Sequence, residues 1–323
     1  MMEGIKLAIA GATGELGRAL VSALEERSFP LAQVFALASA ESSDETLMFN
    51  NRPLLVEDLD SFDFATADIV VLCLPATVAA RIAPRAQAAG CRVIDHSAAF
   101  RIADEVPLLV EGATVPDAPL VACASPEAAL LVPVLREVAD IRSLQVTVLA
   151  PVSAQGRAGV RELAGQTGEL LNGRGITPAV YPAQVAFNTL PAVGRREEED
   201  LADELERLLP APFPVCLARV TVPVFYGLTL AVTVHTGANP DLARLRALLE
   251  RSGVRFGNSE DDQGLVTPVT EASGQDGLYV TDLAPLPAPL VGLRFWLVGD
   301  NLRQGAVRHS LAILEKWIKD FKY

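Results

Sequence analysis

Four cysteines, three histidines and one glycine-rich turn carry most of the evident chemistry in this 323-residue chain. Cys73, Cys91, Cys123 and Cys216 all sit in apolar stretches with no Cys-x-x-Cys spacing, which reads as buried, reduced thiols rather than disulfides or a zinc site. His96, His235 and His309 stand apart from any second cluster of ligand-type residues, so no metal is expected. The most suggestive stretch is Val121-Ala122-Cys123-Ala124-Ser125-Pro126-Glu127-Ala128-Ala129-Leu130, an apolar strand end that turns into an apolar helix. A thiolate at such a junction would gain from the helix N-terminus. Cys123, however, falls on the strand side, where a packed thiol is the simpler reading. Ser125, Pro126 and Glu127 follow the order preferred for an N-cap, a first helical residue and an early acid.

The second chemical signal is Ala10-Gly11-Ala12-Thr13-Gly14-Glu15-Leu16-Gly17, between the apolar run Ile5–Ile9 and an amphipathic helix pattern reaching about Glu26. Strand, glycine turn and helix in that order suit a dinucleotide pyrophosphate, because glycines let the backbone approach it and the helix N-terminus receives its charge.

The elements that must position these residues alternate. Val34–Ala38, Asp68–Leu72, Arg92–Ile94 and Pro119–Ala122 read as strands, and Ala76–Ala89 reads as a helix closed by Gly90, which together predict a parallel, doubly wound α/β sheet. Beyond a helix over about Pro126–Val138 the pattern changes to longer strands at Ser143–Ala150, Arg219–Phe225, Leu230–His235, Gly277–Leu283 and Gly292–Val298, which predict an α+β second domain with an antiparallel-leaning sheet. Arg195–Asp200 reads as a solvated helix start and Pro285–Pro289 as an extended loop. A long amphipathic helix from Gly305 to about Lys319 is expected to return to the first domain. The expected domains are 1–125 with 305–323, and 126–304.

Bulk properties narrow the function classes. With 40 acidic against 27 basic side chains the net charge is −13, which repels phosphate backbones and anionic lipid, so neither nucleic acid nor a membrane is an expected partner. No apolar run approaches the roughly 18 residues of a membrane span, and Met1–Lys6 shows no signal-peptide pattern. A cytoplasmic location is expected.

Several motifs, in order, resemble the aspartate-semialdehyde dehydrogenase family over nearly the whole chain: Gly11–Gly17, Leu37-Ala38-Ser39, Ile94-Asp95-His96-Ser97-Ala98-Ala99-Phe100-Arg101, Ala186-Phe187-Asn188, Val222-Pro223-Val224 and Val298–Ala306. The resemblance implies a Rossmann-type domain, a catalytic and dimerisation domain of α+β type, and a homodimer. It also implies oxidation of an aldehyde through a cysteine thioester, with hydride passing to NADP and phosphate releasing the acyl group. In the family the nucleophile lies in an Asn-Pro-Asn-Cys turn, which laid on this chain puts Pro126 at the nucleophile. The histidine base falls on Leu228, the arginine for the substrate carboxylate on Thr221, and the glutamine near the thioester on Ala150. No catalytic residue is therefore expected at these four positions.

Other positions match. Arg101 falls on the phosphate-binding arginine, and Glu204 with Arg207 fits a Glu-x-x-Lys pattern, so a small anionic ligand could be held there. Read as residues alone, Arg101 suits a surface or interdomain salt bridge equally well, and Glu204 and Arg207 better suit a solvated helix face. The resemblance places the cofactor against Gly11, Thr13, Gly14, Leu16, Gly17, Ser39, Glu41, Ser42 and Asn301. Glu41 stands where the family has an arginine for the 2′-phosphate, which disfavours NADP and is compatible with NAD. Pro75, in a loop where the family has glycines, is expected to crowd the cofactor. The expected function is a dimeric, NAD-binding scaffold that binds a ligand or partner and lacks the family reaction. The alternatives are an NAD-dependent oxidoreductase acting on an aldehyde by an altered mechanism, with Cys123 or Ser125 as substitute nucleophile or by direct hydride transfer, and a structural partner of an active homologue.

Overall fold

The computed structural model describes residues 4–42, 45–192, 196–257 and 264–320. The chain forms two compact units, residues 1–125 with 306–323, and residues 126–305.

The first unit opens with β1 (Ile5–Ala10), α1 (Glu15–Glu26), β2 (Leu31–Ala38), β3 (Thr46–Phe49) and β4 (Arg52–Asp58), and continues through β5 (Ile69–Leu72), α2 (Ala76–Ala88), β6 (Arg92–Asp95), β7 (Leu108–Leu109) and β8 (Leu120–Cys123). The strands form one sheet in the order β3-β4-β2-β1-β5-β6-β8-β7. All pairings are parallel except β3 with β4, a hairpin closed by Asn50 and Asn51, both at positive φ. The expected parallel, doubly wound sheet is present and carries one antiparallel edge strand, β3. Strand residues alternate between two cores. Leu7, Ile9, Ile69, Val71, Ile94 and Val121 face one way, with Leu20 and Leu24 of α1, while Ala8, Ala10, Val70, Leu72, Val93 and Ala122 face the other, with Ile82 and Ala83 of α2. That is what a sheet covered on both faces requires. The first core also takes Leu311, Leu314 and Trp317 from the C-terminal segment, which contributes the closing helix of this unit.

The second unit contains α3 (Pro126–Leu135), β9 (Ile141–Ala150), α4 (Gly156–Leu171), β10 (Leu190–Pro191), α5 (Arg196–Leu208), β11 (Val215–Thr221), β12 (Leu228–Thr236), α6 (Leu242–Arg251), β13 (Arg255–Phe256), β14 (Leu278–Pro285) and β15 (Gly292–Gly299). The closing helix of the first unit is α7 (Arg308–Asp320). Arg195 lies outside the described residues, and α5 begins beside it. The sheet order is β10-β11-β9-β12-β15-β14-β13, antiparallel along β9-β12-β15-β14 and parallel for β11 with β9 and β13 with β14. β11 ends at Thr221, not at Phe225 as its alternation suggested: past Thr221 the chain leaves the ladder, and Val224 and Phe225 offer their carbonyls to the N–H groups of Val152 and Ser153. Leu144, Val146 and Val148 of β9, Leu230, Val232 and Val234 of β12, and Leu293, Phe295 and Leu297 of β15 are in register and buried on one face.

The glycine turn depends on close packing. A methyl group on Gly17 would stand 2.2 Å from the Gly11 carbonyl oxygen and 2.6 Å from Ala12 Cα. Gly17→Ala is therefore expected to lower stability by about 2 kcal/mol through overpacking, read as a lower urea midpoint with an unchanged slope.

Candidate functional site

In the second unit, three of the four positions expected to have lost the family's chemistry lie at one end of adjacent strands, and the fourth begins a helix. Thr221 ends β11 and Ala150 ends the neighbouring β9, where the two are register partners. Leu228 begins β12, and its partner Gly299 ends β15. A methyl group on Gly299 would touch Leu130 of α3, so Leu228, itself 2 % exposed, lies in hydrocarbon. Pro126 is the first residue of α3, and a methyl group on Gly305 would stand 2.9 Å from Pro126 Cβ. Thr221, Ala150 and Leu228 share one end of the sheet, and α3 packs on β12 and β15. Pro126, Leu228 and Ala150 supply no group that attacks a carbonyl or moves a proton.

The loop beside them is tightly tied. Asp300, 3 % exposed, accepts hydrogen bonds from the backbone N–H of Leu302, Arg303 and Gly274 at 2.7–2.8 Å. Asn301 Oδ1 accepts from the Gly227 N–H at 3.1 Å, and the Asn301 amide also meets Ser153 Oγ at 3.1 Å. The carboxamide expected to face a cofactor thus already serves the site's own loops.

The substitute nucleophiles fare poorly. Cys123 is fully buried at the end of β8, and burial, reinforced by the Asp95 charge, pushes its thiol pKa far above the ordinary range. Ser125 is 7 % exposed at the position before α3. The expectation that all four cysteines are buried is corrected at two positions: Cys216, on the outward face of β11, is exposed, and Cys73 is part-exposed. No group of three metal-ligating side chains occurs among the described residues.

In the first unit, Arg101 is part-buried and bonds to two backbone carbonyls. Its Nη2 donates to the His96 carbonyl at 2.6 Å and its Nε to the Cys123 carbonyl at 3.1 Å, joining the ends of β6 and β8. Glu204, on α5 in the second unit, is 2 % exposed, which corrects the reading of a solvated helix face there. Its helix packs against both α3 and β11, which closes that flank to water.

The glycine turn has the form a pyrophosphate needs. Gly11, at φ +86°, and Ala12 both donate to the Leu37 carbonyl, tying the turn to the end of β2. Gly14 precedes α1 with no side-chain cap, so nothing from that residue covers the helix N-terminus. Thr13 is buried with its carbonyl held by Arg18 Nε, and Leu16 packs into the core. Ser39, Ala40, Glu41 and Ser42 form a short exposed turn after β2, closed by the Ser42 N–H on the Ser39 carbonyl, and Glu41 faces solvent. Pro75 precedes α2 and is exposed; Leu74, rather than Pro75, is the side chain set against Gly11.

Sequence reasoning missed two constellations. Glu127, in the first turn of α3, forms an ion pair with Arg219 of β11, both largely buried. His96 Nε2 and Ser310 Oγ share a 2.5 Å hydrogen bond across 214 residues, with buried His309 alongside. Only the first left a local signal, an arginine at alternate spacing from Thr221.

Residues 6–118 match the NAD-binding domain of semialdehyde dehydrogenases, and residues 131–304 match their dimerisation domain. The chain belongs to the aspartate-semialdehyde dehydrogenase family. It is 31 % identical to the aspartate-semialdehyde dehydrogenase of Legionella pneumophila over 99 % of this chain and 98 % of that one. A USG-1 protein homolog of Pseudomonas aeruginosa is 35 % identical over 99 % of this chain and all of its own. Among solved structures, aspartate semialdehyde dehydrogenase II of Vibrio cholerae complexed with ASA superposes with a TM-score of 0.91 at 30 % identity, covering 98 % and 99 % of the two chains. The two-domain fold of the family, with its Rossmann-type sheet, is the fold of this chain. No helix among the described residues is long and apolar enough to cross a membrane.

The buried histidines generate a stability prediction. Burial, with neighbouring positive charge, lowers the pKa of His96 to about 3 and of His309 to about 4. Both are neutral in the folded state at pH values where the unfolded chain, near 6.5, takes up protons. Stability is therefore full above about pH 6.5 and falls as the pH drops toward 4, by up to about 2.7 kcal/mol per pH unit for the pair. Asp95, whose carboxyl pKa is raised by burial, acts in the opposite sense. The check is a difference: urea midpoints between pH 7.5 and 4.5 are expected to fall less steeply in the His96→Gln/His309→Gln variant than in the wild type.

Proposed function

We propose that this protein is a dimeric, cytoplasmic member of the family that does not perform the phosphorylating dehydrogenase reaction, and that it acts as a scaffold binding NAD and a small anionic ligand or partner. The observation that carries this reading is the row of strand ends at Thr221, Ala150 and Leu228, on a sheet against which α3, beginning at Pro126, packs through β12 and β15. Forming and releasing a thioester needs a nucleophile and a base within reach of one carbon. Proline and leucine have neither, and the raised pKa of buried Cys123 disfavours the thiolate that would replace them. Two relatives at 35 % identity carry the name USG-1 protein homolog rather than that of a dehydrogenase, which supports this reading.

For the cofactor, the Gly11–Gly17 turn would hold a pyrophosphate and Glu41 would accept from a ribose 2′-OH, while repelling a 2′-phosphate. A bound nicotinamide would supply a hydride acceptor; the chain's own residues supply only binding and orientation. For the dimer, the outward face of β9, β12 and β15 presents Thr147, Leu149, Ala231 and Trp296 as a half-exposed surface of the sheet, suited to a second copy.

Calorimetry tests the cofactor assignment. NAD is expected to bind, NADP to bind at least about tenfold more weakly, and Glu41→Arg to narrow or invert the ratio. Tight NADP binding by the wild type would refute the role of Glu41.

A further inference from the structure

A second determinant of nucleotide preference lies in the first unit, and it rests on the cofactor reading proposed above. Near the start of α1, Arg18 Nε donates to the Thr13 carbonyl of the glycine turn at 2.9 Å, and its Nη2 donates to Glu45 Oε2 at 2.6 Å. Glu45 stands just before β3 with its backbone fixed twice. Its N–H donates to the Ser42 carbonyl at 3.1 Å, and its own carbonyl accepts from Val56 of β4 at 3.3 Å. Ser42 in turn closes the turn that carries Glu41. One guanidinium therefore links the turn suited to a pyrophosphate with the segment that leaves the turn suited to a ribose. The support behind it is firm, because Leu47 of β3 and Leu54 of β4 are register partners packed on the first core.

The side chains of Arg18 and Glu45 are 38 % and 35 % exposed, so their ion pair adds little to stability. Its placement decides more than its energy. A guanidinium beside a ribose is the group best shaped to receive a 2′-phosphate, through two parallel N–H bonds. Here a carboxylate already meets it. Glu45 cancels the charge of Arg18, and Glu41 is left to set the sign of that end of the site.

We propose that Glu45 is a positioning residue for cofactor selection: by holding Arg18 it turns the dinucleotide site away from a 2′-phosphate. NAD loses nothing by this, whereas the added phosphate of NADP meets Glu41 while Arg18 is held by Glu45.

The test compares the wild type, Glu45→Gln, Glu45→Ala and Arg18→Gln/Glu45→Gln by calorimetric titration with NAD, NADP, 5′-AMP and adenosine 2′,5′-bisphosphate. Both Glu45 variants are expected to bind the two 2′-phosphorylated nucleotides about fivefold more tightly, as one released charge-assisted contact allows. Their affinity for NAD and 5′-AMP is expected to change by less than about twofold. The gain is expected to shrink at high salt and to be absent from the double variant. A parallel shift for NAD and NADP, no selective gain although the wild type binds NAD, or a gain that survives loss of Arg18 would overturn this proposal and leave the cofactor reading standing. If neither the wild type nor any variant binds any of the four nucleotides, the cofactor reading fails and takes this proposal with it.

Discussion

The first turn of α3 is held from two sides, and the second unit is arranged around that constraint. On one side the backbone at Gly305 approaches Pro126 so closely that no side chain fits between them. On the other, Glu127 is fixed by Arg219. Asp300 shapes the loop that delivers Gly305 by accepting three backbone N–H bonds, and Asn301 ties that loop to Gly227, next to the start of β12. A proline at a first helical position costs no hydrogen bond and fixes φ, so it suits the geometry well. In the function proposed above, this proline stands at the family's nucleophile position, where it offers no atom to form a thioester.

The two units differ in what they retain. In the first, the close contacts of Gly11 and Gly17 and the uncapped start of α1 keep the form of a dinucleotide turn, and α7 completes the core with Trp317. In the second, the strand ends still converge as the fold dictates, but Leu228 and Ala150 face them with hydrocarbon and Asn301 spends its amide on the protein itself. Scaffold and chemistry are separable here because the backbone ladder, which does not depend on side-chain function, sets the convergence.

Much of this was legible in the sequence. Period-two apolar runs flanked by helical patterns disclosed the doubly wound sheet, and the amphipathic closing stretch disclosed the helix that joins the first core. The proposal for Pro126, Thr221, Leu228 and Ala150 rests on flanking motifs that fix their alignment. The β3–β4 hairpin escaped notice although Asn50-Asn51, with both residues at positive φ, is a recognisable tight-turn signal. Other features left no local trace. Glu204 looks solvated by composition, and only the packing of α5 on α3 and β11 buries it. The contact between His96 and Ser310 spans the whole second unit in sequence and exists only once the chain has returned.

The central claim is that the scaffold is complete and the nucleophile absent. Intact-mass spectrometry after incubation with aspartate semialdehyde and NAD or NADP, with phosphate withheld so that any acyl-enzyme accumulates, tests it most directly. The account expects an unchanged protein mass and no reduced cofactor. A stoichiometric acyl adduct, mapped to Cys123, Ser125 or any other side chain, with matching reduction of the cofactor, would contradict it.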